Sequence, residues 1–491
     1  MIRMNITRRG FIGATAAAGA GFMTTSVSGQ QGKVGLKLCE IKDPSKPLRV
    51  AFIGLGRMGG GLVSSVAWTK LAKIVALVDP DPAMIREAKR KLASMKEIGI
   101  DTKGIAEFDD YREFFKRMAD DVDAVFIATP NHHHLMPALL AFRNGIHAYI
   151  EKPLSFTVEE GRRMLAEARE RHAVTQMGQW GHSQEAVRRL VEYIGAGALG
   201  QVTEVHTWTQ RLNGRMNMLP PAEPVPAGMN WDCWIGPSPH TGFSGGREGL
   251  HPMGWYSWKN FGSATLGNMG NHILDPAFWS LNLGAPESVR VTDVRHGSKD
   301  SWNLRDHVIW KFPARGNLAP VTVHWYDGLK GDTPWDDTTW FVGASTSKLI
   351  KDRKVWYTPP LLEEIEKKYN VDLGDDGSIF VGEKGYIVMG CFGDWIRFFP
   401  GELHKPSPQK TIPRVKGGHQ VDFMRGCMGG PAPCANLDYS QRLNEVVMLG
   451  VTAIAEDSGD ELKWDAQTGR FTNKESANNF LKRSYRKGWE I

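Results

Sequence analysis

Short uninterrupted apolar runs alternate with amphipathic stretches over the first part of the chain, which predicts a parallel sheet flanked by helices. Residues 50–53, 74–78, 122–128 and 147–150 are such runs, and 105–108 reads as a further short strand. Between them helices are expected: one after Gly59 to about Lys70, and one at Asp81-Pro82, with Asp as cap and Pro in the first turn. Another runs from about His134 to Asn144 and stops at Gly145. Thr157 to Glu160 form a capping box for a helix reaching about Arg171, and residues 174–177 extend again.

After Gly178 the pattern changes. Residues 183–194 read as a helix closed by Gly195, and 202–210 as a strand. Residues 212–262 are rich in Pro, Gly and aromatics with little periodicity, a length that marks a functional loop or an element periodicity does not show. A helix is expected from 264 to about 281 and another over 439–454. Alternating segments at 288–294, 308–312, 321–326, 378–381 and 386–389 predict a largely antiparallel sheet with helices on one face. The polar stretch 464–491 is expected to drape over the surface. The fold class is therefore α/β: an N-terminal Rossmann doubly wound parallel sheet over 48–178, and a C-terminal α+β domain with a largely antiparallel sheet over 179–457. A linker at 30–47 precedes the first domain, and an extension at 458–491 follows the second.

The turn after the first strand carries the first chemistry. Gly54, Gly56 and Gly59 spell G-x-G-x-x-G between a strand and a helix, and Asp79 ends the next strand 20 residues on. Gly54 makes the tight turn, Gly56 admits a pyrophosphate to the backbone, and Gly59 lets helix pack on strand. The helix N-terminus, with Leu55, Arg57 and Met58 in the turn, offers free N–H groups to the phosphates. Asp79 can hold both ribose hydroxyls and repel a 2′-phosphate, so NAD is expected rather than NADP.

Composition narrows the picture only slightly. The 491 residues are 41% hydrophobic and 23% charged, ordinary for a soluble globular protein. Of the net charge of +6, three positive charges sit at Arg3, Arg8 and Arg9, and no basic run or aromatic-basic motif argues for nucleic acid. The five cysteines lack zinc-like spacing, and their odd number argues against a full disulfide framework; Cys427 and Cys434 could pair, but unpaired buried thiols are favoured. Three consecutive imidazoles at His132, His133 and His134 cannot share one helix face, so no metal centre is expected there. Residues 1–29 have a charged start, a Gly/Ala-rich apolar middle and small residues at Ser26 and Ser28, the form of a secretory signal. Thr7-Arg8-Arg9-Gly10-Phe11-Ile12 resembles the twin-arginine pattern, which implies export of a folded protein to the periplasm by the twin-arginine machinery. No stable membrane insertion is expected once the signal is removed.

Four segments together resemble the glucose–fructose oxidoreductase, inositol dehydrogenase and rhizopine-catabolism family, usually written Gfo/Idh/MocA. They are GLGRMG from Gly54, ATPNHHH from Ala128, GIHAYIEKP from Gly145, and GNMGNHILDP from Gly267. The resemblance covers residues 48–465; the signal is similar to that of an exported member of the family, and VTQMGQWGHS from Val174 together with the tail from Trp464 is similar to a large bacterial subgroup. It implies that Lys152, in Glu151-Lys152-Pro153, works on the substrate oxygen beside the nicotinamide, and that His272 accepts the proton. The family pattern Asp-x-Gly-x-His reads here with Asn268 in the Asp position; Asn can orient an imidazole but cannot stabilise its cation by charge. His272 is thus expected to be less basic than in relatives with Asp. The resemblance also implies that Thr129 and Asn131 line the nicotinamide side, that His134 packs near the cofactor, and that the open face of the second sheet makes a homo-oligomer.

The residues admit plainer readings as well. Lys152 could be a solvated loop lysine, and His272 a core histidine bonded to a carbonyl. Asp275 is better read as a helix-end residue than as a catalyst. In the aromatic loop, Trp231, Trp234, Phe243, Trp255, Tyr256, Trp258 and Phe261 suit either sugar stacking or simple packing, with Arg247, Asn260 and His182 near enough in sequence to bind hydroxyls. His182, Arg247, Trp255 and Tyr256 are the named substrate candidates. The leading expectation is an exported NAD-dependent oxidoreductase acting on a small carbohydrate, a sugar, glycoside or polyol. A glycosidase that oxidises, eliminates, hydrates and reduces with tightly held NAD is the alternative, and a non-catalytic sugar sensor the third reading.

Overall fold

The computed structural model describes residues 36–334 and 353–490; the expected export signal and the first part of the expected linker lie outside the described residues. Six parallel strands form the first sheet: β1 (Leu48–Ile53), β2 (Ala72–Val78), β3 (Ala106–Phe108), β4 (Ala124–Ile127), β5 (His147–Ile150) and β6 (Thr175–Met177). Their order, β3-β2-β1-β4-β5-β6, reverses between β1 and β4, the doubly wound arrangement read from the apolar runs. Every residue of β4 and β5 is buried, as strands covered on both faces require. The intervening helices start where the sequence places caps. Asp81 accepts the Ala83 N–H at 2.8 Å ahead of Pro82–Ser94, and Thr157 Oγ1 accepts the Glu160 N–H at 3.3 Å ahead of Val158–Glu170.

The second sheet has nine described strands: β7 (Val202–Thr209), β8 (Ser288–Arg295), β9 (Arg305–Phe312), β10 (Val321–Gly328), β11 (Asp376–Gly382), β12 (Gly385–Gly390), β13 (Ile396–Phe399), β14 (Leu462–Asp465) and β15 (Arg470–Phe471). Their order is β13-β12-β11-β7-β10-β9-β8-β14-β15, antiparallel throughout except for the β7–β10 pair. Helix Leu437–Glu456 packs Val446, Val447 and Leu449 into the core behind this sheet. Among the described residues no helix is long and apolar enough to cross a membrane.

The structure departs from the sequence expectations in several places, beginning with an unexpected helix at Tyr111–Met118. The helix expected from 264 to 281 is two, Ala264–Ile273 and Asp275–Ser280, because Pro276 has no N–H to continue the ladder. Residues 212–262 contain a short helix, Trp231–Ile235, and gather Trp231, Trp234, Phe243, Leu250, Trp258 and Phe261 into an apolar cluster of their own. Helices Pro360–Tyr369 and His419–Cys427 and strand β13 were not legible; the second helix lays Val421, Phe423 and Cys427 against Val50, Phe52 and Phe126 of the first sheet. The described part of the linker is not free. The Cys39 N–H donates to the Arg171 carbonyl and the Lys42 N–H to the Cys427 carbonyl, both at 2.8 Å. The tail, last, is built in rather than draped. Strands β14 and β15 extend the second sheet, Arg483 Nε meets Glu160 at 2.7 Å, and Trp489 is buried edge-on to Tyr111 and His133 under the Arg112 guanidinium, 3.8 Å away. All five cysteines are free, so Cys427 and Cys434 do not pair.

Because Trp489 closes the core next to the first sheet, Trp489→Ala should cost about 3 kcal/mol of unfolding free energy, in the range for deleting a large buried aromatic. Urea denaturation of the two proteins checks this; a loss below about 0.5 kcal/mol, the surface-substitution range, would show the tail to be dispensable.

Candidate active site

The turn after β1 opens a cleft along the carboxyl ends of the first sheet. Gly54 has φ +84°, and a Cβ there would stand 2.7 Å from the Ala128 carbonyl, so the position admits glycine alone. At Gly59 a Cβ would lie 1.9 Å from the Gly54 carbonyl oxygen, while at Gly56 it would meet nothing within 4 Å. Helix Arg57–Trp68 begins at Gly56 without a side-chain cap, which leaves its first N–H groups for an anion. The cleft, of about 350 Å³, is lined by Gly54, Gly56, Arg57 and Met58 at this turn. Leu55 and Gly59 are buried beneath it rather than in its wall.

From β2 to β5 the cleft changes character. Asp79 lines the β2 end, its two oxygens accepting the Leu55 N–H at 2.7 Å and the Asp81 N–H at 2.9 Å, and burial pushes its carboxyl up to about 7. Pro80, Met84 and Asp109 continue this end, and His251, Pro252 and Met253 of the aromatic loop roof it. The roof is fastened: His251 Nε2 lies 2.8 Å from Asp81 Oδ2, and the Asn230 N–H donates to the Pro80 carbonyl at 2.8 Å.

At the β4–β5 end Thr129, Asn131, Glu151, Lys152, Asn268 and His272 line one continuous surface. Lys152 Nζ donates to both the carbonyl oxygen and Oδ1 of Asn268, each at 2.9 Å. Burial draws its ammonium down to about 8, against the pull of the Glu151 charge. Burial likewise raises Glu151 to about 7, and a Cβ at Gly178 would stand 2.5 Å from that carboxylate, so glycine there makes its room. His272 is buried, with Nδ1 unpartnered and the ring edge-on to Phe392 at 4.9 Å. Burial, then the charges of Lys152 and Arg211, hold it well below the usual histidine range, so the ring is neutral. The Thr129 hydroxyl is a second buried polar atom without a partner. These unsatisfied groups, the open Gly56 backbone and a lining that runs from Gly54 and Asp79 to Lys152 and His272 fit a dinucleotide with its reactive ring near Lys152.

The lysine loop is held from below. His134 does not line the cleft; its ring spans the Pro153 and Thr129 carbonyls at 2.6 and 3.0 Å and pins the two loops together. Asn444 accepts the Leu154 N–H at 3.0 Å and donates to Ser155 Oγ at 2.9 Å. Two substrate candidates are corrected. His182 is buried outside the cleft, its Nδ1 2.9 Å from Asp275 and its ring stacked on Trp279 at 4.1 Å, a polar tie between helices. Arg247 is exposed on the loop and is not part of the lining. Trp255 and Tyr256 do line the cleft, stacked with ring centroids 3.7 Å apart. Sequence reasoning missed Arg211, Trp180 and Phe392. Arg211 lies just past the end of β7 and pairs with Asp376 at 3.1 Å; Trp180 and Phe392 stack at 4.9 Å across segments far apart in sequence.

This fold and cleft define a two-domain dinucleotide-binding oxidoreductase. Residues 48–179 match the oxidoreductase family described as GFO_IDH_MocA, NAD-binding Rossmann fold, and residues 189–312 match its C-terminal alpha/beta domain. The chain belongs to the Gfo/Idh/MocA family. An alpha-N-acetylgalactosaminidase of Shewanella oneidensis is 30% identical over 171 residues, covering 32% of this chain and 35% of that protein. The chain thus spans about a third of the curated relatives it matches. Among solved structures, the WlbA dehydrogenase of Bordetella pertussis, in complex with NADH and UDP-GlcNAcA, aligns with TM-score 0.55 at 13% identity, over 86% of this chain and 99% of that one. Levoglucosan dehydrogenase, in complex with NADH and levoglucosan, aligns with TM-score 0.52 at 18% identity, over 85% and 99%. At these identities the two structures speak for the fold.

Asn268→Asp would set a carboxylate against the Lys152 ammonium and favour its charged form. The ionisation of Lys152 in the NAD-free protein, near pH 8, should then move upward by about one unit. A pH titration of Lys152 by NMR checks the direction; an unchanged or lowered value would show the two side chains to be uncoupled.

Proposed function

We propose that the protein is an exported NAD-dependent oxidoreductase acting on a sugar, glycoside or polyol. The reading rests on one observation above the others: a buried lysine with an ammonium drawn toward neutrality and a neutral, unpartnered histidine line the same end of the cleft. Bound NAD supplies the hydride acceptor at the nicotinamide C4. The rest of the chemistry falls to the chain. Lys152 Nζ, oriented by Asn268, holds the substrate oxygen and moves its proton, and His272, uncharged at neutral pH, has a free Nδ1 lone pair or N–H to relay it. Trp255 and Tyr256 present an aromatic surface suited to the C–H face of a sugar ring. Asp79 accepts from the ribose hydroxyls with the lone pairs its backbone donors leave free.

A second reading has its own support. The similarity to an alpha-N-acetylgalactosaminidase, and the roof fastened across the Asp79 end, favour a redox-neutral glycosidase in which one NAD is kept through oxidation, elimination, hydration and reduction. The twin-arginine-like Thr7-Arg8-Arg9 segment supports export to the periplasm, where a retained coenzyme loaded before export would be an advantage, and the family resemblance supports a homo-oligomer.

Purified protein presented with a panel of glycosides and polyols separates the readings. NADH accumulating on addition of NAD supports the dehydrogenase, and free sugar released with no net NADH supports the glycosidase. In either case Lys152→Met should lower kcat by roughly 100-fold or more, as for loss of a general acid–base, while NAD affinity by calorimetry stays within about threefold. Unimpaired turnover would remove Lys152 from the chemistry.

A further inference from the structure

On the face of the second sheet, away from the cleft, three side chains converge from the parallel β7–β10 seam. Glu204 and His206 alternate along β7, so they share a face, and His324 of β10 stands in register with His206. His206 Nε2 and His324 Nε2 approach the same Glu204 oxygen, Oε1, at 3.2 and 3.1 Å, and the three atoms lie within 4.8 Å of one another. Ligand atoms around a tetrahedral zinc with bonds of 2.0 to 2.2 Å stand roughly 3.3 Å apart, so little movement is needed to receive a cation. Among the described residues this is the one place where three such side chains meet.

The groups behind the ligands point the same way. The second ring nitrogen of each histidine already has a partner: His324 Nδ1 lies 3.1 Å from His307 Nε2, and His206 Nδ1 lies 3.3 Å from the Tyr326 hydroxyl. With Nδ1–H turned to these two acceptors on metal binding, each ring would present its Nε2 lone pair to the cation, the outer contact raising its basicity toward a metal. Glu204 remains partly exposed, with 41% of its side chain accessible, which leaves a path for the ion and positions for water.

We propose that Glu204, His206 and His324 form a binding site for a divalent transition-metal ion of the zinc class, bridging the seam between β7 and β10. Two imidazoles and one carboxylate are ligands suited to zinc, nickel or copper rather than to magnesium or calcium. None of the three lines the cleft, so the ion clamps the sheet and takes no part in the redox chemistry.

Full-length protein prepared without a polyhistidine tag, stripped with chelator and titrated with zinc chloride, should bind one ion per chain and gain thermal stability. The pair His206→Gln/His324→Gln should abolish both effects and leave NAD affinity unchanged, and His307→Leu should weaken zinc binding roughly 10- to 100-fold as an outer partner of the ligand. Should the variants fold poorly, cobalt chloride added to the unaltered protein still decides: visible absorption of a tetrahedral cobalt centre, displaced by zinc, supports the site. Absence of that absorption, or stoichiometric zinc retained undiminished by the double variant, overturns it.

Discussion

Two hydrogen bonds from one ammonium join the halves of this molecule. Lys152 stands at the end of β5 in the first sheet, and Asn268, which accepts both, belongs to a helix of the second domain whose ten residues are all buried. Holding a long, flexible cation in such a place costs desolvation and side-chain entropy, and the cost is visible in its depressed basicity. It persists because the loop beneath is over-determined, with His134 bridging the Pro153 and Thr129 carbonyls and Asn444 bonding on both sides of Leu154. The chemistry the cleft can perform thus depends on residues that never face it.

The first sheet was legible because its signals are local. Val50 to Ile53, the glycines after it and Asp81-Pro82 each carry their meaning within a few residues, and strand, turn and cap fall where those residues place them. The lysine loop and the His272 helix were legible through the family resemblance, not through periodicity. Partners that meet only in three dimensions were not: Arg211 joins the wall from the end of β7, and Trp180, just past β6, stacks on Phe392, just past β12. The same limit explains Glu204, His206 and His324, whose convergence depends on the register of two strands that pair without being neighbours in sequence. His182 misled for the converse reason. A polar ring close to the aromatic loop suggests a group for sugar hydroxyls, but Asp275 and Trp279 take up its ring.

The aromatic loop both packs on itself and lines the cleft. Trp231, Phe243, Trp258 and Phe261 pack on one another as a small core, which lets an otherwise irregular stretch hold a shape. On that support it turns Trp255 and Tyr256 inward and lays His251 over the Asp79 corner. Packing and lining of the cleft are divided among neighbouring aromatic residues.

Helix His419–Cys427 carries a consequence for how the chain is made. Phe423 lies edge-on against Phe126 and Tyr149, with ring centroids 5.5 and 5.9 Å away, covering strands encoded hundreds of residues earlier. During synthesis the nucleotide-binding layer leaves the ribosome with the part of one apolar face around Phe126 and Tyr149 uncovered, and that part must wait for most of the polypeptide before it can be sealed. Cutting the gene after the sixth strand would release a fragment with that part exposed and prone to aggregate, so the layer is not a portable module even though its topology suggests one.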